Sequence, residues 1–411
     1  MADEKQEEHS INAPSKSEWT LRACLTVLGT SCILFSTVGF LNAFGVFEQY
    51  YAETYFRDKS LSAISWFGSF NIFCMFGGAL VSGILNDIYG PKWLLRTGTV
   101  MALLGLFMTS LCTKYYQFFL AQAMLFGFGV AALFLPGFAT IPLYFTKHRG
   151  LALGITIGGS SLGGVIWPIA LRRLLVDIGF PWTMRTAAFI MMPLLVIGCL
   201  TVRLPVNTHP GQPKPKPDIN SMKTPAFGLL AVFMFLASMG LFIPFFYITS
   251  YSISIGKDPD MSFYLISILN GISLLGRLLP GILADRYGAF NLTFLATFFS
   301  GLICCCMTTA KTLGGLIAIA AAYGFASGAI LSLQGACATK LVGPESYGAA
   351  MGSMMAVCSI AGLIGTPIAG ELATKYGYLA LAEYGGASLL VGSFFVMASK
   401  LKQNKNPFAA I

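Results

Sequence analysis

Gly83-Ile-Leu-Asn-Asp-Ile-Tyr-Gly90 occurs again as Gly281-Ile-Leu-Ala-Asp-Arg-Tyr-Gly288, 198 positions later and identical at six of eight residues. Both copies fall where a long apolar run ends, and both keep the aspartate and the Tyr-Gly pair. In a chain with 17 acidic residues, chance explains such a match poorly. Two homologous halves, each with a tight charged turn at the same membrane face, explain it directly.

Composition says what those halves are made of. Of the 411 residues, 55% are hydrophobic and 10% charged, whereas a soluble domain carries about 25% charge. Apolar runs of about 18 residues or more recur from end to end, which is the pattern of membrane-spanning helices. In water they would leave large apolar patches exposed. The net charge of +9 is not gathered into a basic cluster interleaved with aromatics, so a nucleic-acid partner is not expected. The ten cysteines, including Cys304-Cys305-Cys306, are scattered through apolar runs as small hydrophobes rather than a disulfide framework. With His9, His148 and His209 the only histidines and no Cys/His ligand spacing, neither a metal site nor a cofactor is expected.

The apolar runs lie near 22–46, 61–85, 94–112, 117–142, 150–171, 183–202, 226–250, 262–284, 292–310, 313–338, 347–370 and 382–399. They predict an all-α polytopic membrane protein with twelve transmembrane helices in two six-helix bundles. The expected divisions are an N-terminal tail at 1–20 without a cleavable leader, a first bundle at 21–203 and a linker at 204–225. A second bundle follows at 226–399, with a tail at 400–411. The linker holds Pro205, Pro210, Pro213, Pro215 and Pro217 among lysines, which prevents helix continuation. With the N-terminus inside, 16 of the 26 basic residues fall on the cytoplasmic side and nine outside. That places both termini and both repeated turns in the cytoplasm. Two parallel six-helix repeats are the layout of carriers that rock about a central site.

Candidate residues follow from that layout. Arg277 lies within a span, where an unpaired guanidinium costs about 2.5–3.5 kcal/mol even on a lenient insertion scale. No carboxylate is expected in the middle of any span, so Arg277 is read as facing an anionic or strongly hydrogen-bonding substrate. An arginine bound to helix carbonyls is the alternative. Asn42, Asn71, Asn270, Ser273 and Gln334 are further candidate substrate contacts, with helix-to-helix bonding as their competing role. Asp87 and Asp285 are expected to accept bonds from a neighbouring helix N-terminus when the cytoplasmic side shuts. Lys92, Arg96 and Arg286 extend that gating network, Gly90 and Gly288 form its turns, and Lys147 and Arg149 anchor the junction before the fifth span. The glycines at 154, 158, 159, 163 and 164 form a stripe that permits close helix approach.

Several stretches together resemble a known family. They are Asn42-Ala-Phe-Gly-Val-Phe-Glu-Gln-Tyr-Tyr51, Ile64-Ser-Trp-Phe-Gly-Ser69, the run from Tyr144 to Gly164, Gly276 to Gly288, and Ser332-Leu-Gln334. The chain resembles major facilitator superfamily transporters of the monocarboxylate-porter type, and within them the fungal branch. In the animal lactate and pyruvate carriers of that family, a helix 1 lysine and a helix 8 aspartate act with the helix 8 arginine. Here Asn42 and Ser273 occupy the first two places and Arg277 matches the third, which argues against lactate–proton symport. The resemblance implies a secondary or facilitative transporter of a small organic, anionic solute, by alternating access, and no enzyme. Export of a fungal secondary metabolite and uptake of a riboflavin-like vitamin are the alternatives. A transporter-like nutrient sensor is the rival from another class. The lipid bilayer is the expected surrounding, and proton coupling stays open. No obligate protein partner is expected, and the plasma membrane is favoured over a vacuolar or other organellar membrane.

Overall fold

The computed structural model describes residues 19–145, 149–205, 222–342, 347–404 and 406. Among the described residues, ten helical stretches are long and apolar enough to cross a membrane. The first, Leu21–Glu53, is three segments, α1 (Leu21–Ser36), α2 (Val38–Asn42) and α3 (Phe44–Glu53). It runs well past the end at 46 expected from hydropathy. α4 (Leu61–Tyr89) and α5 (Pro91–Thr109) follow. The next crossing joins α6 (Tyr115–Phe118) and α7 (Gly127–Thr140) through a π-helical stretch at Phe119–Phe126. α8 (Arg149–Asp177) and α9 (Gly179–Thr201) complete the first half. The second half holds α10 (Pro225–Leu241), α11 (Ile243–Ser254), α12 (Pro259–Tyr287), α13 (Ala289–Cys305), α14 (Leu313–Leu341) and α15 (Tyr347–Gln403). The last is interrupted at Gly377, where the backbone leaves helical geometry.

Local chemistry starts and stops these helices. Thr20, Ser60, Thr224 and Thr312 each cap a helix by accepting an N–H from three residues on, and the Asp258 carboxylate does the same for Met261. At the other ends, the Gly90 and Gly288 amides close on Asn86 and Ala284 carbonyls, both at 2.9 Å. Their φ angles of 75° and 84° favour a residue without a β-carbon. Gly179 and Gly377 share that left-handed φ. Positions 90 and 179 are 89 residues apart, as are 288 and 377, so the 198-residue repeat contains a shorter one. Asp87 and Asp285 lie in the last turns of α4 and α12, not in the turns themselves, because each helix continues to the tyrosine.

The outward surface carries Val81, Val100, Leu120, Leu162, Ile282 and Phe394, which suits contact with lipid tails. Inside, buried hydroxyls mostly donate to carbonyls of their own helix, as from Thr30 to Thr26 and Thr109 to Gly105. That meets the demand that polar groups in a membrane be satisfied within the protein. At one end of the first half, Tyr51, Tyr55, Phe56, Phe67, Phe118 and Phe180 pack ring on ring. The Tyr51 hydroxyl there donates to Gln122 Oε1 at 2.6 Å.

Gly90, at φ 75° and ψ 173°, occupies a region open essentially to glycine alone. Gly90→Ala is expected to lower stability by about 1–3 kcal/mol. Gly228→Ala, in a helix with nothing within 4 Å of the added carbon, should not. Unfolding midpoints in detergent distinguish the two.

Candidate functional site: the seam between the halves

Among the described residues, three helix pairs make most of the contact between the first half and the second: α8 with α12, α4 with α15, and α3 with α11. The first two run most of the length of the molecule. Along α8, Gly154 and Gly158 admit Leu278 and Leu274, and Gly164 lies against Asn270. Further along this pair, Ser267 donates to the Val165 carbonyl at 3.0 Å, and the Arg172 guanidinium sits 4.8 Å from the Phe263 ring centre. The glycine stripe expected to admit one helix in fact serves two. Gly159 and Gly163 face the other way, onto Ser31, Phe35 and Gly39 of the first crossing. Along the second pair, Leu80 meets Gly352, Ile72 meets Gly362, and the hydroxyls of Ser69 and Thr366 bond to each other.

The third pair closes one end only. Gly45 packs on the carbonyls of Phe245 and Phe246, and the Phe44 and Phe246 rings lie 5.1 Å apart over Gly68. Among the described residues, α7 and α14 pack extensively only within their own halves. The end bearing Glu53 and Ser254 is therefore braced by all three pairs, and the end bearing Gly90 and Gly288 by two.

Arg277 sits in the first pair. It is 8% exposed, and its Nη1 donates to Ser160 Oγ on α8 at 2.7 Å, while Nε is buried without a partner. Asn270 and Ser273 precede it by two turns and one on the same face of α12. Asn270 gives Nδ2 to the Ile266 carbonyl and leaves Oδ1 unpaired; Ser273 bonds back to the Asn270 carbonyl. Asn71 repeats the Asn270 arrangement, with Nδ2 on Phe67 and Oδ1 unpaired, but faces Gly127 on α7 within its own half. Asn42 lies where α2 gives way to α3, its Nδ2 also buried and unpaired. Gln334 lines a narrow crevice with Phe76, Ser238 and Cys358, about 10 Å³ and so the size of one water. The structure thus groups Arg277, Asn270 and Ser273, and holds Asn42, Asn71 and Gln334 on other helices.

Of the gating candidates, Lys92, Arg96 and Arg286 are exposed. The Arg96 guanidinium lies 5.9 Å from the Trp93 ring and that of Arg286 5.6 Å from the Tyr287 ring. Gly90 and Gly288 make the turns described above. Lys147 and the side chains of Asp87, Arg149 and Asp285 lie outside the described residues.

A carboxylate outside the span expected from hydropathy is buried near the end of the first crossing: Glu48 in α3 is 0% exposed, and neither of its oxygens is in a well-formed hydrogen bond. Ending the first span at 46 hid it. The available signal was the flanking Phe47, Tyr50 and Tyr51, a belt of aromatics that carries a helix on through the interface.

Residues 23–366 match the sequence profile of the Major Facilitator Superfamily, and the chain belongs to that family. It is similar to the agnestins efflux protein AgnL12 of Paecilomyces divaricatus, at 52% identity over 96% of this chain and 90% of the relative. It also resembles the aspyridones efflux protein apdF of Emericella nidulans, at 37% identity over 92% and 78% of the two chains. Its fold is that of a bacterial homologue of the human lysosomal transporter Spinster, crystallised inward-facing and occupied. The TM-score is 0.69 at 15% identity, over 91% of this chain and 96% of that one. The protein is a multi-pass membrane carrier, not an enzyme. It moves a small molecule across the bilayer by alternating access between its halves.

Ser160→Ala removes the partner of Arg277 Nη1 and leaves a second guanidinium nitrogen bare, at an expected cost of about 1–3 kcal/mol. Ser161→Ala deletes a buried hydroxyl that has no partner, so no comparable loss is expected. Thermal unfolding of both in detergent is the check.

Proposed function

We propose that the protein exports an acidic fungal secondary metabolite, with Arg277 as its anion contact. The observation that carries this is the buried guanidinium in the seam, bonded only in part and with no carboxylate paired to it among the described residues. Unpaired buried polar atoms in a native fold call for an explanation. Besides Arg277 Nε, three of the residues read as substrate contacts have one: Asn42, Asn71 and Asn270. A bound molecule that shares hydrogen bonds with Arg277 and Asn270, which lie together on α12, removes the cost of leaving those two bare. The efflux proteins to which the chain is similar support the outward direction.

The finer architecture belongs to the same proposal. Counting α5 and dividing α15 at Gly377 gives twelve spans, six before and six after the linker at 204–225. The bundles are 21–203 and 226–399, with both tails cytoplasmic in the plasma membrane, as the distribution of basic residues favours. The chain falls on this reading with the fungal monocarboxylate-porter type, by its residues 42–51 and 276–288. Asp87, Asp285, Lys92, Arg96, Arg286, Lys147 and Arg149, with the turns at Gly90 and Gly288, work the cytoplasmic gate.

The test compares metabolites retained and released by cells with and without this gene. Retention of one acidic compound on deletion is the expected result, and intracellular loss of a vitamin instead identifies an uptake carrier. In liposomes, Arg277→Ala should slow movement of the released compound by about 10- to 100-fold, the worth of a hydrogen bond to a charged group. Arg277→Lys should recover part of it. Equal rates for Arg277→Ala and the parent would remove Arg277 from the site.

A further inference from the structure

Glu48 takes no part in the contacts assigned to substrate, yet it is the most exceptional polar residue in the fold. It lies on α3 inside the pair that shuts one end, fully buried, its carboxyl within reach of the Tyr247 hydroxyl but in no well-formed hydrogen bond. An ionised carboxylate so placed is cut off from bulk solvent and, among the described residues, has no ion-pair partner. Its surroundings come from both halves. Tyr247 of α11 faces it, and that hydroxyl is committed to the Thr366 carbonyl at 2.9 Å. Tyr378 of α15 is within electrostatic reach. From α4, Ser65 approaches the Tyr247 hydroxyl. The charged groups at this end of α8, Arg172, Arg173 and Asp177, line a separate cavity with Phe263 and Tyr264. Beyond Tyr378, Tyr251 packs its ring at 5.5 Å, and its hydroxyl accepts from Lys311 at 3.1 Å.

We propose that Glu48 is the proton-binding site of this carrier and that its proton holds the α3–α11 end shut. Parting α3 from α11 brings water to the carboxyl, and the O–H bond then breaks with the proton passing to that water. Closing again requires a proton to be taken back from the same side. Acid on that side therefore drives the protein towards the state closed there and open at the Gly90 and Gly288 end. The Ser69–Thr366 hydroxyl pair and the Tyr247–Thr366 bond converge on one residue across the seam, so a charge on Glu48 is felt where the halves join.

The inference rests on alternating access between the halves, and one experiment separates the two. Genetically encoded spin labels are placed at exposed Thr54 and Ser254 for the shut end, and at Trp93 and Tyr287 for the opposite end. Distances are measured in the full chain in lipid nanodiscs, without substrate, from acid to alkaline pH. The first distance should lengthen and the second shorten as pH rises. Glu48→Gln, which fixes the neutral form, should lose the change and stay shut at that end throughout. Glu48→Asp should keep the change with a displaced midpoint. If the ends move in opposition but Glu48→Gln titrates as the parent does, or Glu48→Asp keeps the parent midpoint, Glu48 is not the proton site and alternating access stands. A parent whose distances ignore pH likewise overturns the proton role. Ends that never move in opposition, with or without the released metabolite, overturn the transport reading itself.

Discussion

Hydrocarbon offers no hydrogen bonds, so a chain that crosses it must satisfy its polar groups from within. This protein does so helix by helix in much of its interior, with threonines and serines returned to their own backbones and side-chain caps at the starts of α1, α4, α10, α12 and α14. The exceptions therefore carry meaning. Some of them lie where two sets of helices meet, a surface that must part and reseal and so cannot be bonded as completely as one that never opens. Arg277, Asn270 and Glu48 are all on helices of that surface, each with a polar atom left over.

The glycines of α8 and α12 belong to the same compromise. A β-carbon on Gly276 would stand 2.0 Å from the Phe325 carbonyl, so α12 is fitted to α14 of its own half with no slack. On the other side, α12 meets α8 through leucine side chains lying over glycines, and through few hydrogen bonds. Shape complementarity without interlocking lets bodies slide, whereas backbone-to-backbone contact fixes them. Along this pair α12 is thus tight against its own half and lightly joined to the other, the condition for rocking there.

Much of this was legible beforehand. Membrane class, the duplicated turns and an arginine buried within a crossing follow from apolar run length and one repeated octapeptide. What escaped notice did so for physical reasons. Hydropathy falls at Glu48 because a carboxylate scores as water-loving wherever it stands, so the first span was cut short although Tyr50 and Tyr51 extend the helix. Asp87 and Asp285 fall inside their helices because glycine, not aspartate, decides where each helix stops. Pairings such as Arg277 with Ser160 are 117 positions apart in the chain, and nothing local reports them.

The glycines at 90, 179, 288 and 377 follow Asp-Ile-Tyr, Asp-Ile, Asp-Arg-Tyr and Lys-Tyr. The first and third corners share a sequence, but what all four share is a stereochemical demand. A quarter of the molecule, three crossings long, can therefore be recognised by the interval between residues that lack a side chain, after every other letter has diverged. Those corners are fiducial marks for superposing such chains, and they would still serve where residue identity has faded beyond use.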